Sequence, residues 1–383
     1  MGLRRFLSGL SRTTLVGIGA AAGVAVLLAP LLTQSAEAAT DDLVATAPGS
    51  GAAPNIKTFL PSGAASDVDY SSAGSTTSGA SVATGDVTGD GTAEIVTGTG
   101  FGVESQVQVW SKDGTQLVAQ VTPFPGFTGG VNVATANIDE TPAQEIVVGA
   151  GAGGGPHVKV YKLVSSLLVE QYNGGFFAYD SSFKGGVFVA GAPGKIITGA
   201  GAGGGPHVKV WNATASAVTQ SAEWFAYDPS FSGGVRVAAG PVRTDAVDVV
   251  TGAGPGGGPH VKLFGLDGTA GPGTFVYDGS FSGGVYVSVA GGKKLITGAG
   301  AGGGPHVKVF TVATNNFTMG VEFFAYASGF GGGVRVAGFP TPGSGGGSSG
   351  STTTSTTAHV TTTTTAGGGG GTCIPSTPIC IPL

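Results

Sequence analysis

The sequence predicts an all-β protein assembled from copies of one four-stranded unit. A twelve-residue motif recurs with few changes, and its histidines His157, His207, His260 and His306 lie 50, 53 and 46 residues apart. Only 10% of the residues are charged, whereas glycine alone contributes 74 of the 383 residues. Long soluble helices need charged faces and strong helix formers, so this composition favours strands. A period near 50 residues indicates an array of supersecondary units.

The repeated motif predicts a glycine-rich turn that leads into a strand. It reads GAGAGGGPHVKV at 149–160, 199–210 and 298–309, and GAGPGGGPHVKL at 252–263. A phosphate-binding loop of the Walker type would require GK[ST] followed by a helix, and neither is present. We therefore interpret the motif as the connection between the second and third strands of each unit.

Each unit divides into four short segments that are rich in Val, Ile and aromatic residues. Examples are GGVxVA at 233–238, an apolar stretch at 195–198, PHVKVW at 206–211 and an aromatic stretch at 224–228. Segments of this length, bounded by Gly, Pro or Asp, are typical of strands joined by tight turns.

Two degraded copies bring the number of units to six. Residues 94–110 carry Gln106 at the histidine position, and residues 42–59 carry Asn55 there. The first copy begins at a second strand near Leu43, whereas a lone first strand stands at 332–337. The two chain ends would complete one unit together, which predicts a closed β-propeller of six four-stranded blades. Seven blades and a β-solenoid are the alternatives.

The repeat resembles the FG-GAP (VCBS-like) repeat of integrin α-subunit propellers and of many secreted bacterial proteins. The FG element stands at 231–234 and 281–284, the GAP element is Gly-Ala-Gly, and the most specific stretch is GDVTGDGTAEIV at 85–96. The resemblance spans about residues 42–340 and implies a propeller. The GGGPHVKV extension departs from the integrin pattern, so integrin-type partners do not transfer to this chain.

The resemblance also implies a calcium loop between the first two strands. Oxygen-bearing side chains at positions 1, 3 and 5 of such a loop, Gly at 6, a backbone carbonyl at 7 and an acid at 9 can surround a hard cation. These positions are filled by Asp86, Thr88, Asp90, Thr92 and Glu94. We expect Ca²⁺ to brace this blade, and the alternative is an Asp-Gly hairpin turn without metal.

A second, weaker calcium candidate follows in the next copy. Its oxygen-bearing residues are Asn137, Asp139, Thr141 and Glu145, with Pro142 in place of the glycine. In the later copies the loop is shortened or lacks the pattern, so we expect no calcium there.

The repeated side chains are predicted to serve the fold. We interpret His157, His207, His260 and His306 as structural residues, because imidazoles on separate blades are too far apart to share one metal ion. The aromatic stretches are interpreted as packing between blades, and a carbohydrate-stacking surface is the alternative. The lysines two residues after each histidine offer a further alternative, a positive ring for an anionic glycan.

Both ends of the chain differ in composition from the propeller at 40–340. Residues 1–39 combine three arginines, an apolar run and Ala36-Glu37-Ala38, as expected of a cleaved secretory signal. An uncleaved membrane anchor is the alternative, because the apolar run is long. Residues 341–372 are a Gly/Ser/Thr-rich sequence that predicts a disordered stalk. The tail at 373–383 contains Cys373 and Cys380, for which we predict a local disulfide.

These observations predict a secreted or surface-displayed binding or adhesion module, with a monomeric head and no enzymatic activity. The formal net charge is −5, which argues against nucleic acid as a partner. No membrane insertion is expected after cleavage of the signal. The expected partner is an unidentified extracellular protein or glycan. The alternatives are a structural envelope or matrix protein without a specific ligand, and a glycan-active enzyme.

Overall fold

The computed structural model describes residues 43–72, 76–313 and 315–341. Over these residues the chain forms 25 strands in six antiparallel sheets. Among them, no helix has the length and apolar character needed to cross a membrane. Each sheet is one blade of a propeller, and successive blades follow one another along the chain.

The strands of the first three blades run as follows. Blade 1 contains β1 (Val44–Pro48), β2 (Asn55–Phe59) and β3 (Ala65–Ser71). Blade 2 contains β4 (Ala80–Gly85), β5 (Glu94–Thr99), β6 (Val107–Trp110) and β7 (Leu117–Val121). Blade 3 contains β8 (Val131–Ala136), β9 (Glu145–Ala150), β10 (His157–Val164), β11 (Leu167–Glu170) and the short β12 (Phe176–Phe177).

The remaining strands continue in the same order. Blade 4 contains β13 (Val187–Ala192), β14 (Lys195–Ala200), β15 (His207–Ala213) and β16 (Val218–Phe225). Blade 5 contains β17 (Val235–Pro241), β18 (Val247–Ala253), β19 (His260–Phe264) and β20 (Ala270–Phe275). Blade 6 contains β21 (Val285–Ala290), β22 (Lys294–Ala299), β23 (His306–Ala313) and β24 (Asn316–Phe324), and β25 (Val334–Gly338) follows.

Blade 1 closes the ring, as the split copy predicts. The strand β25 pairs antiparallel with β1 from Val44 opposite Gly338 to Pro48 opposite Val334. This pairing gives the sheet order β25-β1-β2-β3, so one strand from the far end of the propeller completes the first blade. The predicted six blades and the predicted closure are both confirmed.

The apolar core lies between adjacent blades. Side chains from the second and third strands alternate toward the two neighbouring blades, as the two-residue period of a strand requires. Between blades 2 and 3, for example, Val96 and Val107 pack in one cluster with Ile146 and Val148, and all four are fully buried. The innermost strands, β4, β8, β13, β17, β21 and β25, surround a central channel.

The first two strands approach closely where the motif begins. A Cβ atom at Gly254, the last residue of the GAG triplet in blade 5, would lie 1.8 Å from the carbonyl oxygen of Gly233. The Gly254 N–H donates to the Gly234 carbonyl at 3.1 Å, so the backbones are held at this distance. Only glycine fits at this approach, which explains why the motif repeats it.

The fourth strand differs from the sequence prediction in its extent. We expected the aromatic stretch itself to form this strand. In blade 4, however, β16 begins at Val218 in the variable stretch and ends at Phe225, before Tyr227. The later aromatic residues therefore leave the sheet, and this frees Tyr227 to reach the next blade.

Candidate functional site

A histidine and a phenylalanine stand opposite each other at one end of four consecutive blades. The histidine opens the third strand directly after the glycine turn, and the phenylalanine ends the fourth strand or, in blade 3, the short β12. The sheet register pairs them in blades 3 to 6: His157 with Phe177, His207 with Phe225, His260 with Phe275 and His306 with Phe324. We call each such pair a His–Phe unit.

The rings of each His–Phe unit are stacked and half open to solvent. Their centroids lie 4.6, 4.8, 4.8 and 4.7 Å apart in blades 3 to 6, with interplanar angles between 12° and 29°. The four phenylalanines are 48% to 58% exposed. Apolar area left in water adds nothing to stability, so the exposed faces of these four rings do not contribute to the packed core.

The glycine triplet makes room for this ring. A Cβ atom at Gly258, the third glycine of the triplet in blade 5, would lie 2.6 Å from the ring of Phe275. Contacts of this length do not occur, so a larger residue would displace the ring from the histidine. In blades 3, 4 and 6 the matching distances are 3.1, 3.5 and 3.7 Å, so the ring demands this glycine in blade 5, approaches it closely in blade 3 and leaves ordinary space in blades 4 and 6.

A tyrosine from the preceding blade packs on the other side of the histidine. Tyr179, Tyr227 and Tyr277 donate their hydroxyl hydrogens to the backbone carbonyls of His207, His260 and His306 at 2.8, 2.8 and 2.9 Å. Tyr326 of blade 6 makes the same bond to Asn55 of blade 1 at 2.7 Å. In blade 3 the tyrosine is replaced by Phe124, whose ring lies 5.3 Å from that of His157.

The two predictions for the aromatic stretch thus apply to different residues. The tyrosines are partly buried and pack against the clusters between blades, as the main interpretation predicts. The phenylalanines are exposed, as the carbohydrate-stacking alternative requires. Phe225 and Tyr227 are two residues apart, so a continuous strand would place them on the same face. They differ because β16 ends at Phe225, and the sequence alone does not show where this strand ends.

Charged side chains flank the stacked rings and neutralise each other. Lys159 pairs with Glu170 at 2.9 Å, Lys209 with Glu223 at 3.4 Å and Lys308 with Glu322 at 3.3 Å. In blade 5 the ammonium of Lys262 donates instead to the carbonyl oxygen of Ala226 at 3.2 Å. Three of the four lysines are therefore balanced, so the units do not form the positive ring that the sequence offered as an alternative.

Three of the four imidazole rings have a lowered pKa, which favours their neutral form. Burial lowers the pKa of His207, His260 and His306, and in His207 and His306 this outweighs the nearby glutamates. The Nε2 atoms of His207 and His306 lie 3.2 and 3.0 Å from those glutamate carboxylates. A neutral imidazole beside a carboxylate presents donors and acceptors in fixed positions.

The first predicted calcium loop joins β4 to β5 and is wrapped around two of its own carboxylates. Asp86 accepts backbone N–H groups from Gly89, Asp90 and Gly91 at 2.7, 3.1 and 2.9 Å. Glu94 accepts the N–H groups of Val87 and Thr88 at 2.8 and 3.0 Å. The carboxylate of Asp90 accepts only the Thr92 N–H, at 2.7 Å.

The donor set of this loop suits a hard cation, although its oxygens do not converge as they stand. In the described part of the chain, no three acidic, histidine or cysteine side chains are close enough to hold a metal ion. Burial raises the pKa of Glu94, and the nearby charge of Asp90 adds to this effect. Within that part of the chain, neither a lysine nor an arginine pairs with Asp86, Asp90 or Glu94.

The second predicted loop contains a cation from the chain itself. Lys162, which extends from β10, contacts the carboxylate of Asp139 and lies 3.0 Å from the hydroxyl of Thr141 and 3.7 Å from Glu145. Asn137 instead bonds within the loop, to the carbonyl of Thr141 and the N–H of Glu140. The ammonium thus supplies a positive charge to the acids of this loop from within the chain.

The corresponding loops of blades 4 and 5 also have a basic residue in or next to them. In blade 5, Asp248 accepts from the guanidinium of Arg243 and, at 2.9 Å, from its backbone N–H. In blade 4 the loop shrinks to Pro193-Gly194, and Lys195 stands where Glu94 stands in blade 2. Acids at this position are thus balanced within the chain in blades 3 and 5.

Comparisons with known proteins agree with the repeat and the fold. Residues 78–111, which form most of blade 2, match the family model of the FG-GAP repeat. The fold and this match define the class as a six-bladed β-propeller with an FG-GAP repeat, which confirms the resemblance seen in the sequence. No curated protein matches the chain.

Several solved structures are similar to this chain at low identity. A six-bladed fungal lectin from Aleuria aurantia shares 10% identity at a TM-score of 0.43, over 76% of this chain and 98% of that chain. A protein from Lactobacillus plantarum shares 11% identity at a TM-score of 0.42, over 77% and 99%. A chain of the mitotic checkpoint complex shares 13% identity at a TM-score of 0.43, over 72% and 75%. At these scores the likenesses carry no argument about function.

Three sequence predictions lie outside the described residues. They are the secretory signal at 1–39, the stalk at 341–372 beyond Thr341, and the disulfide between Cys373 and Cys380.

Proposed function

We propose that the chain is a secreted or surface-displayed, non-enzymatic binding propeller whose contact surface is the row of His–Phe units on blades 3 to 6. The observation that carries this proposal is the exposure of four phenylalanine rings, each held flat by a stacked histidine. The partner is a glycan or an extracellular protein. Rigid aromatic rings supply contact area at low entropic cost, which suits either partner.

The chemistry around the rings favours a glycan. The C–H face of a sugar packs on a flat aromatic ring, and its hydroxyls need donors and acceptors at the edge. In blades 4 and 6 the neutral imidazole, the lysine and the glutamate supply these groups beside the ring. Each unit alone would bind weakly, but repetition raises the effective concentration for a ligand with several sugars.

Calcium is part of the proposal for blade 2 alone. Asp86, Thr88, Asp90, Thr92 and Glu94 offer oxygen ligands, and within the described chain the three acids lack the lysine or arginine found in blades 3 and 5. A bound Ca²⁺ would balance this charge and brace the loop. It would require Asp90 to turn toward Asp86, since Asp90 is the acid least engaged by backbone N–H groups.

The binding proposal is tested with single and combined substitutions of the exposed rings. Removing Phe225, Phe275 and Phe324 together should lower the apparent affinity for a glycan-array or whole-cell ligand by at least about tenfold, because multivalent gain is lost with the sites. Each ring is about half exposed, so the fold should persist. The control is Phe101→Ala, which removes a 67% exposed phenylalanine from blade 2, where no histidine stacks on it.

Other outcomes would favour the alternatives. Absence of any ligand, together with unchanged adhesion on deletion of the protein, would favour a structural envelope or matrix protein. Turnover of a polysaccharide that is lost on a single acid substitution would favour an enzyme. Equal loss of binding in Phe101→Ala and in the triple variant would contradict the assignment of the surface.

A further inference from the structure

One position of the repeat varies while its neighbours stay the same. It is the x of GGVxVA, on the innermost strand of each blade. From blade 1 to blade 6 its residues are Arg335, Ser81, Asn132, Phe188, Arg236 and Tyr286. Residues shared by every blade serve the fold, whereas a position that differs between blades can give one side of the ring its own chemistry.

These six side chains line the central channel. The channel encloses a cavity of about 170 Å³. Arg335 of blade 1 reaches across it and donates from Nη1 to Oδ1 of Asn132 in blade 3 at 2.8 Å. Asn132 in turn donates from Nδ2 to the carbonyl of Val187 at 2.9 Å, which fixes the orientation of its amide.

A second arginine lies buried in the same channel without hydrogen-bond partners for two of its nitrogens. Arg236 is 5% exposed, and its Cζ lies 3.7 Å from the ring centroid of Tyr286. Within the described residues, its Nε and Nη1 atoms have no hydrogen-bond partner. Buried guanidinium groups are ordinarily paired, because an unpaired buried charge is strongly unfavourable.

The channel also lacks a counter-charge among the residues that line it. In the described chain its lining contains two arginines and no aspartate or glutamate. The Cζ of Arg335 lies 5.2 Å from the same Tyr286 ring, so both cations converge on one tyrosine. A site with two positive groups, open N–H donors and no carboxylate is complementary to an anion.

We propose that the central channel is a binding site for a small oxyanion, such as a carboxylate, sulfate or phosphate. The open N–H groups of Arg236 donate to the anion, Arg335 adds its charge, and Asn132 holds Arg335 in place. The cavity is several times the roughly 30 Å³ that one water occupies in the liquid, so a small anion fits. The site stands apart from the His–Phe units and does not depend on their function.

Tyr286 reports on the charge in this channel. Burial alone would raise the pKa of its phenol, but the guanidinium groups of Arg236 and Arg335 outweigh burial and lower the pKa to about 8. A bound anion would offset their charge and raise this pKa again.

Thermal melting of the full chain in sulfate or acetate, against chloride at equal ionic strength, tests the proposal. At low millimolar concentration, either oxyanion should raise the melting temperature of the natural chain more than that of Arg236→Met or Arg335→Met, because general salt effects act alike on all three. Lys184→Gln removes an exposed positive charge and should retain the full shift. No shift in the natural chain, or the same shift in Arg236→Met, would overturn the proposal.

The source of a carboxylate is distinguished by comparing acetate with a short oligoglutamate peptide at equal carboxylate concentration. A larger shift with acetate indicates a free solute, and a larger shift with the peptide indicates an acidic protein segment. Both outcomes support an oxyanion site.

A spectroscopic titration covers the case in which the arginine variants do not fold. One tyrosine in the natural chain should form tyrosinate near pH 8, and this signal should be absent in Tyr286→Phe. Saturating sulfate should raise that pKa in the natural chain. An unchanged pKa in sulfate would show that no anion binds beside Tyr286 and would overturn the proposal.

Discussion

At the scale of single residues, Lys162 shows how a side chain from another strand can replace a ligand. Asp139 and Glu145 lie in and next to the loop between β8 and β9, with side chains 14% and 2% exposed. Burial alone would raise the pKa of Asp139, but the hydrogen bonds from Lys162 and Thr141 outweigh it and lower the pKa to about 2. The ammonium therefore stabilises the charged form of this loop.

We expect Lys162→Met to reduce the free energy of unfolding by about 3 kcal/mol at pH 7, because two shielded carboxylates would lose their counter-charge. The pH dependence should also change. In the natural chain, Asp139 stabilises the fold above its unfolded pKa of about 4, and this contribution is lost as the pH falls toward 2. In the variant, acidification should instead reduce the loss, because protonation neutralises the unpaired acids.

Urea unfolding at pH 7 and pH 4 measures both effects. The matched control is Lys195→Met in blade 4, whose ammonium contacts the side-chain oxygen of Asn212 on the exposed surface. The control should stay within about 0.5 kcal/mol of the natural chain. A loss in Lys162→Met that is the same at both pH values would argue for lost packing rather than lost charge.

The sequence predicted the oxygen ligands of this loop but not Lys162. The loop residues are adjacent in the chain, so their spacing is visible as a motif. Lys162 lies 23 residues from Asp139 and reaches it only because β9 and β10 pair side by side. Residues that meet through sheet pairing leave no local pattern, and the same holds for Arg236 and Tyr286 in the channel.

At the scale of elements, the loop from Asp86 to Ala93 is the place where calcium would act. Its backbone already bends around Asp86, so binding would need movement of few groups. We expect millimolar Ca²⁺ to raise the melting temperature of the full chain. At about one hundred times the dissociation constant the gain would be about 2.7 kcal/mol.

Asp90→Asn is the sharper variant for this test. It removes a charge but keeps an oxygen that can accept the Thr92 N–H, so the turn itself should survive. We expect the variant to lose the calcium-dependent shift, whereas Asp67→Asn, an exposed acid in β3, should keep it. A shift of equal size in Asp90→Asn, or none in the natural chain, would leave the loop as a hairpin turn without metal.

The strands were predictable because the same pattern of apolar segments and glycine turns occurs six times in the sequence. A glycine-containing turn between two apolar segments predicts the second and third strands. This holds even in the two copies where Asn55 or Gln106 stands in place of the histidine of PHVKV. The start of the fourth strand was not predictable, since the variable stretch carries no shared pattern. Backbone pairing with β15 extends β16 back to Val218 regardless of side-chain type.

At the scale of the whole molecule, the ring is closed by the pairing of β25 with β1, two strands that no short loop connects. In blades 2 to 6 the first strand continues into the second through a loop. In blade 1, β25 is joined along the chain to blade 6, and contacts β1 only through backbone bonds and side-chain packing. This seam also places Arg335 in the channel, so closure and the proposed anion site depend on the same strand.

We therefore expect equivalent substitutions to act differently at the β25–β1 pairing and within a blade whose strands are joined by loops. Val334→Ala in β25 and Val187→Ala in β13 remove the same atoms from fully buried positions of the same motif. Each should cost about 2 kcal/mol in the free energy of unfolding. Amide hydrogen exchange should separate them: β1 should exchange faster in Val334→Ala, because the ring can open there without breaking a loop, whereas β14 should stay protected in Val187→Ala. Equal protection of β1 and β14 in the two variants would mean that the seam is as secure as a covalently continuous blade.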